Sequence, residues 1–211
     1  MMKLYYASGA SSLATHILLV ESGLTFSLEK VNLDTKQFEG GDYKVLNPKA
    51  YVPALETENG LLTECAVILE YIANQATDKT FISEYNTQDF WKQKMWLNYI
   101  ATELHKNFIS PFRTGNWLPN TKESKELVYQ RVFPRLKLIN DQLEGQNFLI
   151  NNQFSLVDPY LFVMTNWIRR LDFGFLNLEN LERFDLAMRE RPAVRQVLEK
   201  EGKPHSLVSN D

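Results

Sequence analysis

The chain has 211 residues, and 44% of them are apolar, which is enough for a sizeable hydrophobic core in one domain or two small ones. The formal net charge is −3, from 26 acidic and 23 basic residues, and no basic block is present, so we expect neither nucleic acid nor an anionic membrane as a partner. The single cysteine, Cys65, excludes an internal disulfide, and three histidines far apart in the sequence predict no metal site.

Short apolar runs alternate with helical patterns in the N-terminal part of the chain. Residues 3–6 predict a strand, and no leader peptide or membrane-spanning run is evident, so we expect a cytoplasmic protein. Residues 14–22 predict a helix that ends at Gly23, and residues 26–33 predict a second strand. Residues 34–50 are rich in Gly, Asp and Asn, which predicts a loop with at most a short helix.

A hairpin and a helix complete this part of the chain. YVPAL and LLTE flank Glu58-Asn59-Gly60, which predicts two antiparallel strands joined by a tight turn. Apolar residues at helical spacing predict a helix over 65–76. The resulting order, β-α-β followed by β-β-α, predicts a small α/β domain over residues 1–78.

The C-terminal part carries helical patterns alone, which predicts an all-α domain over residues 87–211 after a linker at 77–86. A shorter helix is predicted after Pro192. Pro134 falls inside one of the longer helices, where its missing N–H predicts a kink or an early break. The longer helical patterns cover residues 88–108, 123–143, 156–171 and 181–189.

Ser11 and Ser12 stand at the start of the first predicted helix. Serine is a favoured N-cap, so a purely structural role is one interpretation. The start of a helix also offers unpaired amides and the positive end of the helix dipole, which suit an anion. Both interpretations of the two serines stay open at this point.

Two further features of the first domain could serve a ligand. A trans Val52-Pro53 bond would be an ordinary strand-edge proline, whereas a cis bond would turn the Val52 amide and carbonyl toward a peptide-like ligand. Thr63 as N-cap and Glu64 in the first turn are ordinary helix chemistry. The alternative is that Glu64 and the first-turn amides bind the ammonium and carboxylate of an amino acid.

ATELHKNF, residues 101–108, places a His-Lys pair within the helix predicted over 88–108. Leu97, Leu104 and Phe108 predict one apolar helix face. His105 and Lys106 could then project from the helical domain toward a cleft, although such a pair is more often solvated surface.

Taken together, these features resemble a bacterial glutathione S-transferase of the beta class, essentially from end to end. The resemblance implies an α/β thioredoxin-like N-terminal domain (1–78) that binds glutathione and an all-α C-terminal domain (87–211) that contributes the electrophile site. It also implies a homodimer that conjugates glutathione to hydrophobic electrophiles, with glutathione as co-substrate and no other cofactor. The segments that carry the resemblance, in the order of the family, are KLYYASGASSLATHILLVESGL, VNLDTKQFEGGDY, LNPKAYVPALETENGLLTECAVILEYIA, WLNYIATELHK and FSLVDPYLFVMTNW.

The resemblance also implies a set of glutathione-contacting residues by matched position. Val52-Pro53 would hold the tripeptide backbone, and Glu64 with Cys65 would bind the γ-glutamyl end. Ser155 and Asp158, within FSLVDPYL, match a capping box of the family, which is folding chemistry. The implied contact residues are Ser11, Lys36, Val52, Pro53, Glu64, Cys65, Asn98, Thr102, Glu103, His105 and Lys106, with Lys36 at the glycyl carboxylate and His105 and Lys106 near the sulfur.

Ser11 departs from the class, because it stands where a cysteine is typical. A serine cannot form a mixed disulfide with glutathione, which puts thiol-transfer activity in question. Its hydroxyl can instead donate a hydrogen bond to the glutathione thiolate. We therefore predict Ser11 as the first choice of thiolate donor and Ser12 as the second, with His105 and Lys106 as supporting cations.

Other roles remain open from the sequence. Tyr5 or Tyr6 could donate to the thiolate, although their place inside a strand favours packing, and Cys65 at a helix start could be an acidified thiol. The chain could also be a ligand-sequestering glutathione-binding protein, or a glutathione-dependent lyase or dehalogenase. The candidates for the electrophile pocket, which could equally be core, are Phe108, Phe112, Trp117 and Trp167.

Overall fold

The computed structural model of the chain describes residues 1–108, 118–119 and 121–202. Its N-terminal part contains a four-stranded mixed sheet in the order β2-β1-β5-β6, with β1 parallel to β2 and antiparallel to β5. A second, two-stranded sheet pairs β3 with β4. The strands are β1 (Met2–Tyr6), β2 (Phe26–Lys30), β3 (Gln37–Phe38), β4 (Gly41–Asp42), β5 (Ala54–Thr57) and β6 (Gly60–Thr63).

Three helices accompany these strands: α1 (Ser12–Glu21), α2 (Tyr43–Leu46) and α3 (Cys65–Gln75). The second strand ends three residues earlier than predicted. The side chain of Asn32 accepts hydrogen bonds from the amides of Asp34 and Thr35, and this turn ends the extended run.

The C-terminal part is helical. A 3₁₀ turn at Lys79–Phe81 lies in the predicted linker, and the predicted helix over 88–108 is present but changes its winding. No helix among the described residues is long and apolar enough to cross a membrane. The helices are α4 (Gln88–Tyr99), a π-helical segment (Ile100–His105), α5 (Lys106–Phe108), α6 (Lys122–Gln142), α7 (Asp158–Arg170), α8 (Glu179–Glu190) and α9 (Pro192–Glu201).

Helix α6 continues through Pro134, so the predicted early break is wrong. Proline removes one backbone donor, which by itself favours a break. Pro134 is exposed, while Val132, Leu136 and Ile139 on the same helix are buried in the core. The packing of this apolar face holds the helix together across the missing hydrogen bond.

One large hydrophobic core joins the sheet to helices of both parts, and a second, smaller cluster contains Tyr5, Tyr43 and Val52. Helix α1 packs against α3 of its own part and against α7 and α9 of the helical part. An ion pair between Arg191 and Glu21 closes the same interface, with two hydrogen bonds of 2.7 and 2.9 Å. Because α1 lies between the two parts, the loop that precedes it faces both of them.

The start of α7 is built around a buried carboxylate. Asp158 accepts hydrogen bonds from the amide and the hydroxyl of Ser155 at 2.7 and 3.1 Å, and from the amide of Leu149 at 3.2 Å. The return contact from Asp158 to the Ser155 amide is the one expected of the capping box. Burial raises the pKa of Asp158 to about 6, against the lowering effect of these hydrogen bonds.

Candidate active site

The loop between β1 and α1 is held by the helical part of the chain. Gly9, with a φ of 70°, donates its amide to Glu201 Oε2 at 3.1 Å, and its carbonyl accepts from Trp167 Nε1 at 2.9 Å. The Ser8 hydroxyl donates to the carbonyl oxygen of Glu201, whose carboxylate also lies 2.9 Å from His16 Nδ1. Helices α7 and α9 therefore fix the loop that carries the two serines.

Ser11 and Ser12 are both buried, and they use their hydroxyls differently. Ser11 occupies the N-cap position without a side-chain capping bond, because its backbone is already helical rather than extended. Its hydroxyl instead donates to the carbonyl oxygen of Val52 at 3.1 Å. The Ser12 hydroxyl donates to the carbonyl oxygen of Ala7 and accepts from the Ala7 amide, both at 3.2 Å, and thereby closes the loop.

The peptide bond between Val52 and Pro53 is cis. The residue before it is fixed, because Tyr43 Oη and Asn47 Nδ2 both donate to the carbonyl oxygen of Tyr51 at 2.9 Å. Val52 itself is buried and meets Ser11 through its carbonyl. The structure thus brings together two of the features that the sequence singled out separately.

Glu64 directly precedes α3 and has a φ of 71°, which is uncommon for a residue other than glycine. Its carboxylate, 63% exposed, pairs with Lys49 Nζ at 2.8 Å. Thr63 ends β6 and does not cap α3, so that prediction is wrong; its hydroxyl accepts from Lys49 at 2.9 Å. Lys49 was missed, because no local pattern relates it to a residue 15 positions later.

Cys65 opens α3 with a buried side chain. Its Sγ lies 3.5 Å from the carbonyl oxygen of Ser11, which ties the start of α3 to the start of α1. Burial raises the pKa of the thiol well above its usual range, and the charge of Glu64 adds to the effect. The alternative of an acidified, reactive thiol is therefore wrong, and the side chain packs as a protonated thiol.

His105 ends the π-helical segment and faces α7. Its Nδ1 lies 2.6 Å from Tyr160 Oη, and its ring packs edge-to-face against Trp167 at 5.1 Å between centroids. Lys106 is exposed, and its ammonium has no hydrogen bond or ion pair to the described part of the chain. Tyr160 was missed by sequence analysis, since it lies 55 positions away.

The remaining predicted contact residues lie on more exposed surfaces. Lys36 has a φ of 60° between β2 and β3. The Thr102 hydroxyl donates to the carbonyl oxygen of Asn98 at 2.9 Å, and Glu103 accepts from Arg135 Nε at 2.9 Å. Between described residues, no hydrogen bond connects Asn98, Thr102 or Glu103 to Ser11.

Tyr5 and Tyr6 pack as buried residues of β1. The Tyr5 hydroxyl donates to Glu56 Oε2 at 3.0 Å, and burial together with Glu56 raises its pKa to about 12. Burial also raises the pKa of Tyr6. Both phenols therefore stay protonated, and the Tyr5 hydroxyl already donates its hydrogen bond to Glu56.

The aromatic candidates for the electrophile pocket divide into two pairs. Phe108 is fully buried and packs edge-to-face on Trp167 and stacked on Phe173, with centroids 5.9 and 6.5 Å apart. Trp167 is also buried and joins His105 to Gly9. Phe112 and Trp117 lie outside the described residues. The described pair is core packing directly beside His105.

Models of the glutathione S-transferase N-terminal and C-terminal domains match residues 1–74 and 88–192. The chain is 40% identical over 204 residues to glutathione S-transferase GstA of Escherichia coli O157:H7, covering 95% of this chain and 99% of the relative. The beta-class glutathione S-transferase of Sphingomonas chungbukensis has a TM-score of 0.87 and 33% identity, covering 95% and 98% of the two chains. A sphingomonad glutathione S-transferase complexed with glutathione has a TM-score of 0.87, 32% identity and the same coverage.

The chain therefore belongs to the glutathione S-transferase family. Its fold is that of the family, a thioredoxin-like α/β domain followed by an all-α domain. It is a glutathione transferase close to bacterial enzymes and to beta-class structures, with glutathione as its co-substrate.

Proposed function

We propose that Ser11 donates the hydrogen bond that stabilises the thiolate of bound glutathione. The observation that carries this proposal is the bond of 3.1 Å from the Ser11 hydroxyl to the carbonyl oxygen of Val52. A peptide ligand that donates its own N–H to that carbonyl would release the hydroxyl, which could then turn toward the sulfur. The Ser11 amide donates to no acceptor among the described residues, so it can serve as a second donor at the start of α1.

The energies of these two donors match the task. A thiol of pKa about 8.5 must fall by roughly two pKa units to be mostly ionised at neutral pH, which is about 2.7 kcal/mol. One hydrogen bond to a charged group contributes about 1.5–3 kcal/mol, and a helix N-terminus adds about 0.3–1 kcal/mol. Desolvation of the sulfur opposes them, so both donors are needed.

The other contacts to glutathione follow the matched positions. Val52 and Pro53 would bind the tripeptide backbone, and the backbone of Cys65 would bind the γ-glutamyl end beside Glu64. The ammonium of the ligand would then compete with Lys49 for the Glu64 carboxylate, since the two side chains pair at 2.8 Å. The remaining contacts would come from Lys36, Asn98, Thr102, Glu103, His105 and Lys106.

Glutathione would bind to residues 1–78, and residues 87–211 would contribute the site for a hydrophobic electrophile. The cluster of Phe108, Trp167 and Phe173 supports this division, because it lies in the helical part directly behind His105. The thiolate itself attacks the electrophilic carbon, so the enzyme ionises and positions the thiol and needs no further cofactor. We place this reaction in the cytoplasm, where glutathione keeps thiols reduced.

We also propose a homodimer, as is typical of the class. Val67 on α3 and Trp91 and Met95 on α4 are exposed by 50%, 51% and 55%. An ion pair between Glu70 and Lys94 joins these two helices. The apolar side chains therefore flank one shared surface, which is suited to a second copy of the chain.

The test of the Ser11 proposal is the ultraviolet absorbance of the thiolate of bound glutathione, measured across pH. In the wild type, the bound thiol should titrate below free glutathione. Ser11→Ala should raise the pKa of the bound thiol by about 1 to 2, which corresponds to one hydrogen bond to a charged group. Ser12→Ala is the matched control: it should lower stability through the loss of the Ala7 contacts but leave this pKa in place. An unshifted thiol in the wild type would contradict the proposal.

A further inference from the structure

Tyr160 lies in the first turn of α7 and contacts His105 directly. Its Oη is 2.6 Å from His105 Nδ1, and the two rings are nearly perpendicular, with centroids 5.8 Å apart. Trp167, two turns further along α7, packs against the same imidazole. Two side chains of one rigid helix therefore fix the orientation of the His105 ring.

The direction of the proton in this hydrogen bond follows from burial. Either the phenol donates to Nδ1, or an Nδ1–H donates to the phenol oxygen. Tyr160 is only 2% exposed, and the contact with His105 is the one hydrogen bond that its hydroxyl makes within the described part of the chain. If the phenol accepted, its own proton would be buried without an acceptor, which folded proteins avoid. Burial also raises the pKa of Tyr160 well above its usual range, so the phenol keeps its proton.

We propose that Tyr160 is a positioning residue that sets His105 in the neutral tautomer with its hydrogen on Nε2. A neutral imidazole that accepts at Nδ1 carries its hydrogen on the other nitrogen. An imidazolium would have to donate through Nδ1 and leave the phenol proton without an acceptor. His105 thus acts on the sulfur as a neutral hydrogen-bond donor rather than as the cation that the sequence predicted.

Four charged or titratable groups of the described residues lie near this pair. Glu64 and Cys65, at the start of α3, are close enough to raise the pKa of Tyr160. Glu103 and Lys106 flank His105 on its own segment, where Glu103 is paired with Arg135. The phenol of Tyr160 is the group in hydrogen-bond contact with Nδ1, so it decides the tautomer.

The experiment is a long-range ¹H–¹⁵N correlation spectrum of protein labelled with ¹⁵N-histidine, which distinguishes the two neutral tautomers from the imidazolium. His105→Gln assigns the signals of His105. The wild type at neutral pH should show His105 protonated on Nε2 and bare on Nδ1. Tyr160→Phe should mix the protonation states and lower kcat about tenfold with little change in KM for glutathione. Tyr99→Phe removes the hydroxyl of a half-buried tyrosine on the preceding helix as a control and should change neither the tautomer nor kcat.

The inference rests on the proposed role of His105 at the sulfur. The spectrum reports the tautomer of His105 directly, so it tests the inference independently of that role. A wild-type His105 protonated on Nδ1 or on both nitrogens overturns the inference, even if Tyr160→Phe does not fold. An unchanged tautomer and kcat in a folded Tyr160→Phe overturn it as well. His105→Gln with full activity would refute the role of His105 at the sulfur and leave the tautomer of the wild type as found.

Discussion

At the position of Ser11, a cysteine thiol could form a disulfide with glutathione, whereas the serine hydroxyl cannot. A thiol at the start of a helix has a lowered pKa and reacts as a thiolate, unless apolar burial raises its pKa as it does for Cys65. Ser11→Cys should therefore form a mixed disulfide with glutathione when it is incubated with the oxidised tripeptide. Mass spectrometry of the intact protein should show one added glutathionyl group.

The wild type is the control for this substitution. Its only cysteine, Cys65, is buried and has a raised pKa, so it should stay unmodified under the same conditions. Modification of the wild type would show that Cys65 is accessible and would contradict its placement in the core. An unmodified Ser11→Cys would mean that this position does not meet the glutathione sulfur.

At the scale of single residues, the sequence singled out several candidate site residues but not the side chains that contact them. Ser11, Val52 and Cys65 could be singled out because helix starts and X-Pro bonds leave local signatures. Lys49 and Tyr160 leave none, since their contacts with Glu64 and His105 depend on how distant segments pack. The residues that the sequence analysis did not identify are therefore those whose contacts form only in the tertiary structure.

At the scale of elements, Asp158 at the start of α7 should make the free energy of unfolding depend on pH. Its pKa is about 6 in the folded protein and 3.8 in the ordinary carboxyl group, so the folded state binds more protons between these values. The free energy of unfolding should therefore fall by about 2 kcal/mol as pH rises from 4 to 6, out of about 3 kcal/mol over the whole titration from below pH 3 to above pH 7.

Urea denaturation of the wild type and of Asp158→Asn at several pH values between 4 and 7 checks this effect. The asparagine does not titrate, so the wild type should lose stability relative to the variant as pH rises. Asp158→Asn should also be destabilised overall. The carboxylate uses one oxygen for the Ser155 amide and the other for the Leu149 amide, whereas asparagine has a single acceptor oxygen. A stability difference that is constant with pH would contradict the raised pKa.

In the long helix that starts at Gln88, the sequence could predict the helical run but not its local winding. Apolar periodicity predicted a helix over 88–108, because burial of one face is the strongest local signal. The π-helical segment Ile100–His105, which packs against α6 and α7, left no local signature in the sequence. π-Helical turns occur frequently at functional sites, and this one carries Thr102, Glu103 and His105.

At the scale of the whole molecule, the order of the α/β and all-α parts followed from the sequence, because strand patterns are confined to residues 1–78 and helical patterns alone follow them. The contacts between the two parts did not, since they depend on how α1 packs against α7 and α9 and on a few side chains between them. The carboxylate of Glu201, 2% exposed, lies 2.9 Å from His16 and accepts from the Gly9 amide. The C-terminal helix α9 thus reaches the loop that carries Ser11.

Removal of this carboxylate charge should weaken both the fold and the site. Glu201→Gln removes a buried carboxylate that accepts from the Gly9 amide and contacts His16 Nδ1, so we expect the free energy of unfolding to fall by about 2 kcal/mol in chemical denaturation. Because Gly9 holds the loop before Ser11, conjugation should also slow in the folded variant. Glu199→Gln, an exposed carboxylate on the same helix, is the matched control and should change stability by less than about 0.5 kcal/mol. Equal effects of the two substitutions would mean that α9 contributes net charge rather than a specific contact to the active-site loop.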